Sequence, residues 1–442
     1  MNGKRRLKMK QLTRLFIPIC LETLFYMLSG MVDTLMLSAV GDYAVGAVGT
    51  ANSYIGIFII MFSIISSGMV SVMTQNIGAG RPGVAYQARQ LGLLFNAVAG
   101  VLMAVFLFSG AGAILRMVGI ADALYEPALI YLKIVGGGCI LNAVIPIFSS
   151  YLRAFGYTKQ PLYATIVGNI ANFVMNAVFL FVLHKGVAGV ATATVISKIL
   201  NLCIVLYFSH KLISAKNSTE RIANKTVLGQ IVKVGLPSAC ETALYNVAMM
   251  LVIRFLNQMD AEGLNVTARS YTATISNFSY CVGAALAQAN AIMTGWHIGA
   301  GELEECDRGT KRAAFVGVCV AVCMETAIVL GSGFIMTLFT DNPEMTALVR
   351  KLLAIDIVLE IGRVTNLVFG QALKTSGDAV FPAVIAAVFM FVFAVGGTWL
   401  FGISMGLMAV GAYIGLASDE CVRAVGMVWR WKTGKWRTKK LV

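Results

Sequence analysis

The sequence predicts an all-α membrane protein. Twelve transmembrane helices form two homologous six-helix lobes, related by a pseudo-twofold axis along the membrane normal. Three observations carry this prediction. First, 58% of the 442 residues are hydrophobic and 13% are charged, about half the roughly 25% charged share of soluble domains. Second, the chain divides into twelve apolar stretches, each long enough for the roughly 20 residues of a span. Third, short motifs recur at one offset along the chain.

The spans are read in order as 15–38, 46–75, 88–112, 128–150, 162–183, 187–208, 234–256, 267–294, 313–338, 346–371, 381–401 and 406–428. Polar punctuation separates them: Arg81-Pro82-Gly83, Asp122 to Pro127, Arg153 to Pro161, His184-Lys185-Gly186, the long stretch His210 to Lys233, Glu302 to Arg312, and Asp341 to Glu344. A helix satisfies its own backbone hydrogen bonds in lipid, so spans of this kind form a helical bundle. The basic start leads into an apolar stretch too long for a signal-peptide core, so the first span reads as retained. The resulting organisation is a first lobe at 1–209, a basic linker at 210–233, a second lobe at 234–429 and a basic tail at 430–442.

The formal charge is +14, from 35 Lys and Arg against 21 Asp and Glu. With the N-terminus placed in the cytoplasm, alternate loops and both termini collect 25 of the 35 basic residues. This is the positive-inside pattern of a multi-pass plasma (inner) membrane protein with both termini cytoplasmic. It faces anionic membrane lipid and needs no nucleic acid to explain it. The tail run from Trp429 to Trp436 alternates rings and cations and reads as an interface anchor. The nine cysteines read as small buried hydrophobes rather than metal ligands.

The repeat is specific. Pro18-x3-Glu22-Thr23-x2-Tyr26 matches Pro237-x3-Glu241-Thr242-x2-Tyr245, and Thr50-Ala51-x-Ser53-Tyr54 matches Thr267-Ala268-x-Ser270-Tyr271. Ile77 to Gly80 matches Ile298 to Gly301. Arg153-x2-Gly156-x4-Pro161 matches Lys374-x2-Gly377-x4-Pro382, and Gly186 with Val190 matches Gly406 with Val410. Six helices is an even number, so both halves share one orientation. Transporters built this way place substrate between repeats near the midplane.

Ionisable residues inside spans cost about 2.5–3.5 kcal/mol on insertion scales, so they face the bundle interior and are functional candidates. Glu22, Tyr26, Ser29 and Asp33 form one helical stripe at i, i+4, i+7 and i+11. Two carboxylates on one face suit a proton or a cation, although Glu22 lies near the interface. Asn169, Asn172 and Asn176 line one face of span 5, where amides serve either a hard cation or helix–helix hydrogen bonds. Thr192 and Thr194 offer hydroxyls that compete with bonds to their own backbone. In span 10, Asp356, Glu360 and Arg363 lie at i, i+4 and i+7 beside Asn366, as cavity lining or as a structural pair. Span 7 carries Glu241, Tyr245 and Arg254, and span 8 carries Arg269. Lys133 and Lys198 also fall within spans. No phosphate-binding loop, nucleophile–base motif or metal-ligand cluster points to an enzyme or to a cofactor.

These residues resemble the multidrug and toxic-compound extrusion (MATE) family of the exporter–flippase superfamily. The carriers are Val32-Asp33-Thr34, Gln75-x2-Gly78-Ala79-Gly80, Leu152-Arg153-x2-Gly156-x4-Pro161 and Gly168-Asn169-Ile170-x-Asn172-x3-Asn176. Further along they are Gly186-Val187-x-Gly189-Val190-Ala191-x-Ala193-Thr194, Gly235-x-Pro237-Ser238, Glu360-x2-Arg363-x2-Asn366 and Gly377-Asp378-x3-Pro382. The resemblance spans nearly the whole chain. It implies a monomeric antiporter that exports organic, often cationic, compounds against entering H⁺ or Na⁺ by alternating access.

By position, the resemblance implies ion coupling at Asp33, Asn172, Asn176 and Thr194, with Asp33 and Asn172 as metal ligands only if the ion is Na⁺. Asn176 stands where many members carry Asp. Glu22, Tyr26, Glu241, Tyr245, Asp356, Glu360, Arg363 and Asn366 are the candidates for the substrate cavity. The second-lobe acids of some members align here near Tyr245 and Arg363. A lipid-linked saccharide or lipid flippase of the same superfamily is the alternative, since Arg254, Arg269 and Arg363 could hold pyrophosphate.

Overall fold

The computed structural model describes residues 2–118, 120–213, 220–260 and 263–442, with side chains described from Lys10 onward apart from Asp42 and Val118. Residues 214–219 of the expected linker lie outside the described residues. Among the described residues are thirteen α-helices and no strand. They are α1 (Asn2–Ser38), α2 (Asp42–Gly78), α3 (Pro82–Val118), α4 (Asp122–Gly137), α5 (Cys139–Ala154), α6 (Lys159–Ala177) and α7 (Gly186–Leu212). There follow α8 (Asn224–Met259), α9 (Leu264–Gly299), α10 (Leu303–Met336), α11 (Pro343–Ser376), α12 (Val380–Phe389) and α13 (Met408–Lys432). Wider π-helical turns extend α6 over Val178–Val182 and α12 over Met390–Val395 and Thr398–Ser404.

Taking α4 and α5 as one span leaves twelve spans. They meet at Gly138 with a bend of 42°, inside the run Gly136-Gly137-Gly138, where glycine weakens the helix. Eight helices, and the α4–α5 pair as a ninth, are long and apolar enough to cross a membrane by composition. The three spans that fail this test are α9, α11 and α13. All three pack on one another, with α11 between α9 and α13, and bury polar residues among themselves. A helix packed between other helices can carry more polar residues than one whose outer face meets lipid. The outer face of α3 shows the contrast, exposing Leu94, Val98, Leu102 and Val105.

The chain forms two compact units. One comprises residues 13–235, and the other comprises residues 1–12 and 236–442. The first is built around Met36, Val48, Phe62, Leu107, Leu132 and Val190. The second is built around Val252, Ile275, Leu353, Leu359 and Tyr413. In the first unit, α2 and the start of α8 pack backbone against backbone. A Cβ on Gly235 would overlap the Ile64 carbonyl, and one on Gly68 would overlap that of Ile231. Gln87 ties down the segment before α8, donating to the Ile222 carbonyl at 2.7 Å and accepting from its N–H at 3.2 Å.

The sequence repeat is also a conformational repeat. Left-handed glycines fall at Gly41, Gly80, Gly156 and Gly186, and again at Gly263, Gly301, Gly377 and Gly406. Each ends or begins a helix at the matching loop, where L side chains are disfavoured. The turn after α2 bonds Gly80 N–H to Ile77 and Arg81 N–H to Asn76. The turn after α9 bonds Gly301 N–H to Ile298 and Glu302 N–H to His297.

The structure refines one expectation and corrects another. In the tryptophan tail, read as an interface anchor, two of the three rings turn inward. Trp431 and Trp436 stack at 4.2 Å and are buried, and only Trp429 is exposed. An indole N–H seeks an acceptor, and the buried ones find it: Trp431 donates to Asp307 at 2.7 Å, and Trp436 to the Trp431 carbonyl at 3.0 Å. The cysteines are free, but Cys203, Cys240, Cys319 and Cys323 are exposed rather than buried. On a span, the outer face meets lipid, and a small apolar side chain is suited to it.

Candidate functional site

In the 13–235 unit, the predicted stripe on α1 separates into two places. Asp33 Oδ1 accepts a hydrogen bond from Asn176 Nδ2 at 2.8 Å, and the same amide donates to Asn172 Oδ1 at 3.2 Å. Asn172 and Asn176 are buried, at 5% and 0% exposure, while Asp33 is half-buried. Asn169 of the same amide face donates to the Phe25 carbonyl at 2.9 Å and fastens α6 to α1. The three amides therefore divide the two roles left open by their spacing. One bonds the backbone of α1, one bonds the carboxylate, and Asn172 accepts from the one that does.

Thr194 and Thr192 each donate to their own helix, at Val190 O (2.9 Å) and Ala188 O (2.8 Å). The Thr194 oxygen keeps its lone pairs, and Tyr131 of α4 lies buried beside it. Lys198 donates to Asn142 Oδ1 at 2.8 Å and stands within electrostatic reach of Asp33. Sequence spacing alone could not unite Tyr131, Asn142 and Lys198 with Asp33, because they come from different spans. At the near end of the stripe, Glu22 pairs with Arg153 at 2.6 Å, and Tyr26 is 73% exposed.

In the other unit, a cavity of about 460 Å³ opens among α8, α9, α11 and α13. Of the residues proposed from the sequence, Glu241, Tyr245, Asp356, Arg363 and Asn366 line it. Glu360 lies behind them, fully buried. Its carboxylate pairs with Arg363. Arg363 also faces Glu420 at 3.7 Å, and Asn366 donates to Glu420 at 3.0 Å. Gly362 permits this contact. A Cβ there would fall 2.7 Å from the Cys421 nitrogen and 2.8 Å from the Glu420 carbonyl carbon, so α11 and α13 touch along their backbones.

Asp419, Glu420 and Arg423 escaped the sequence reading, although Asp419 and Arg423 show helical i,i+4 spacing inside span 12. Arg423 pairs with Asp419 at 2.6 Å and Glu420 at 2.8 Å. Glu241 pairs with Lys374 at 2.7 Å. The cavity is thus lined by both signs of charge, most of them in ion pairs. Of the arginines that a pyrophosphate would need, Arg363 is held by acids and Arg254 is exposed. Arg269 lines the cavity, with Met249 Sδ as a contact at 3.8 Å.

Comparison with known proteins agrees with this architecture. The MatE family profile matches residues 18–178 and again 237–400, once in each half. The chain is 32% identical over 428 residues to the uncharacterized transporter YisQ of Bacillus subtilis, covering 96% of this chain and 94% of that one. It is 20% identical over 446 residues to the probable multidrug resistance protein NorM of Thermotoga maritima, covering 98% and 94%. Among solved structures, a MATE transporter in the bent conformation superposes with a TM-score of 0.86 at 20% identity, over 98% of this chain and 96% of that one. An outward-facing multidrug-resistance MATE transporter of the MOP superfamily gives 0.83 at 20% identity, over 97% and 96%. With the profile matched in both halves and a relative this similar along nearly its whole length, the chain belongs to the MatE family of multi-pass membrane transporters.

Proposed function

We propose that this protein is a secondary antiporter that exports organic cations in exchange for H⁺ or Na⁺ by alternating access. It would work in the plasma membrane with both termini cytoplasmic, as the distribution of Lys and Arg indicates. The observation that carries the reading is Asp33, a half-buried carboxylate that accepts from the amide of Asn176, which donates in turn to Asn172. An amide N–H stabilises the ionised form. Loss of that hydrogen bond, or arrival of a cation, changes how α1 packs on α6. A ligand that binds one packing better shifts the equilibrium by its differential affinity, and substrate and ion are then linked.

The coupling set is Asp33 with Asn172, Asn176 and Thr194, and Asp33 and Asn172 are the ligands if Na⁺ is the ion. One carboxylate, rather than two, makes this a site of low charge. In the second unit, the mixed cavity around Glu241, Tyr245, Asp356 and Arg363 supports a substrate with a cationic group. The flippase reading loses support because two of its three arginines are held by acids or exposed.

The test is transport in proteoliposomes, with sodium and proton gradients imposed separately and ethidium as the reporter. Either gradient should stimulate efflux at least tenfold, and Asp33→Asn should remove that stimulation. Efflux that ignores both gradients, or an Asp33→Asn protein as active as the parent, sinks the reading.

A further inference from the structure

Glu325 of α10 belongs to no motif and lines no cavity described above. It is fully buried, with 0% exposure, and so is Glu360 of α11, while Asp356 is 2% exposed. One carboxylate oxygen from each of the three lies within 4.8 Å of the others. Carboxylates packed this closely repel unless a cation lies between them or one of them holds a proton.

The oxygens are also unsatisfied. Both oxygens of Glu325, Oδ2 of Asp356 and Oε2 of Glu360 are buried and make no hydrogen bond of normal geometry. The same holds for the hydroxyls of Ser276 and Ser279 on α9. Ser279 stands beside Glu325 and Ser276 beside Asp356. Six buried oxygens from three helices are therefore gathered here, with at most one another as partners. Buried polar groups in proteins are normally paired, and each exception calls for a cause.

We propose that Glu325, Asp356 and Glu360, with the hydroxyls of Ser276 and Ser279, form a binding site for a hard metal cation inside the 236–442 unit. All its donors are oxygens, which select Na⁺, Mg²⁺ or Ca²⁺ over softer metals. Oxygen ligands lie about 2.3–2.6 Å from a Ca²⁺-sized ion, so two oxygens up to about 4.8 Å apart can flank one ion. Arg363 neutralises one of the three carboxylates by pairing with Glu360. Two negative charges remain, enough for one divalent ion or for Na⁺ together with a proton.

The site opens toward the cavity through Asp356 and Ser276, which line it. It is separate from Asp33 in both sequence and structural unit, and the proposal does not depend on the coupling role given to Asp33.

The experiment uses the full-length protein purified in detergent at pH 7.5. Choline chloride keeps ionic strength constant while NaCl, MgCl₂ or CaCl₂ is titrated. Thermal unfolding and isothermal titration are both read. At least one of the three ions should bind saturably and raise the unfolding temperature of the parent. Glu325→Gln keeps side-chain volume and should raise the half-maximal concentration at least tenfold. Ser279→Ala, which leaves every charge in place, should raise it about threefold.

No saturable effect of any ion on the parent would overturn the site. So would a response of Glu325→Gln and Ser279→Ala equal to that of the parent. The readout is equilibrium binding, so a failed transport assay leaves this result standing.

Discussion

Glu22 and Arg153 form an ion pair at 2.6 Å, and the same pair recurs in the second half as Glu241 with Lys374 at 2.7 Å. The four residues occupy matching places in the repeated motifs of spans 1 and 4 and of spans 7 and 10. Sequence comparison matched each residue to its counterpart. It did not bring acid and base together, because they are more than a hundred residues apart. The pair clamps the first span of each half to the fourth, and a largely desolvated pair is costly to break.

Removing one partner leaves the other charge stranded. Arg153→Ala should destabilise the protein by about 2 kcal/mol, below the 3–5 kcal/mol of a fully buried pair, because both side chains retain some exposure. The charge-swapped double variant Glu22→Arg/Arg153→Glu should recover part of that loss. Thermal unfolding in detergent reads both. An Arg153→Ala protein as stable as the parent would show that the clamp contributes nothing.

At Asp33, the amide of Asn176 supplies the donor. Asn176→Asp replaces that donor with a second carboxylate at hydrogen-bond distance, and like charges so close favour a bound cation. The variant should gain sodium-dependent stabilisation, with a half-maximal concentration at least tenfold below that of the parent. Titration of unfolding temperature with NaCl against choline chloride measures this. An unchanged sodium response would show that the carboxylate count does not limit binding at this site.

Gly362 sets the contact between α11 and α13. Gly362→Ala would push its methyl into the backbone at Glu420 and Cys421. Overpacking of this kind costs typically 1–3 kcal/mol. The same displacement should loosen the Asn366–Glu420 hydrogen bond and shift the cavity. A lower unfolding temperature for Gly362→Ala, with no such loss for Gly229→Ala, whose Cβ would meet open space, is the expected outcome.

Asp260 caps the turn into α9, accepting from Leu264 N–H at 2.9 Å and Asn265 N–H at 3.0 Å. Partial burial pushes its carboxyl up, but the hydrogen bonds from Asn265, Leu264 and Gly263 outweigh this and hold it below the usual aspartate value. Its stabilising contribution is therefore complete at neutral pH and is lost as pH falls through the lowered folded-state value. Asp260→Ala should cost about 1 kcal/mol at pH 7. The gap to the parent should close below about pH 4, as read by thermal unfolding across pH 3–7. A gap that stays constant with pH would remove the charge from the cap.

The sequence by itself determined the helical membrane fold, the two-fold internal repeat and the turn glycines. These rest on local properties: span-length apolarity, and backbone angles that only glycine adopts freely. It also singled out Asp33, because a lone carboxylate in an apolar helix announces its cost. Tertiary structure alone decided which polar groups meet. Asn169 and Asn176 look alike in sequence, yet one fastens to the Phe25 backbone and the other to Asp33. Glu325 is a lone acid in an apolar stretch and carries the same signal as Asp33, but only helix packing shows that it meets Asp356 and Glu360. Periodicity assigns a residue to a face of its own helix. Which neighbour that face meets depends on contacts between helices far apart in the chain, such as those that Gly362 permits.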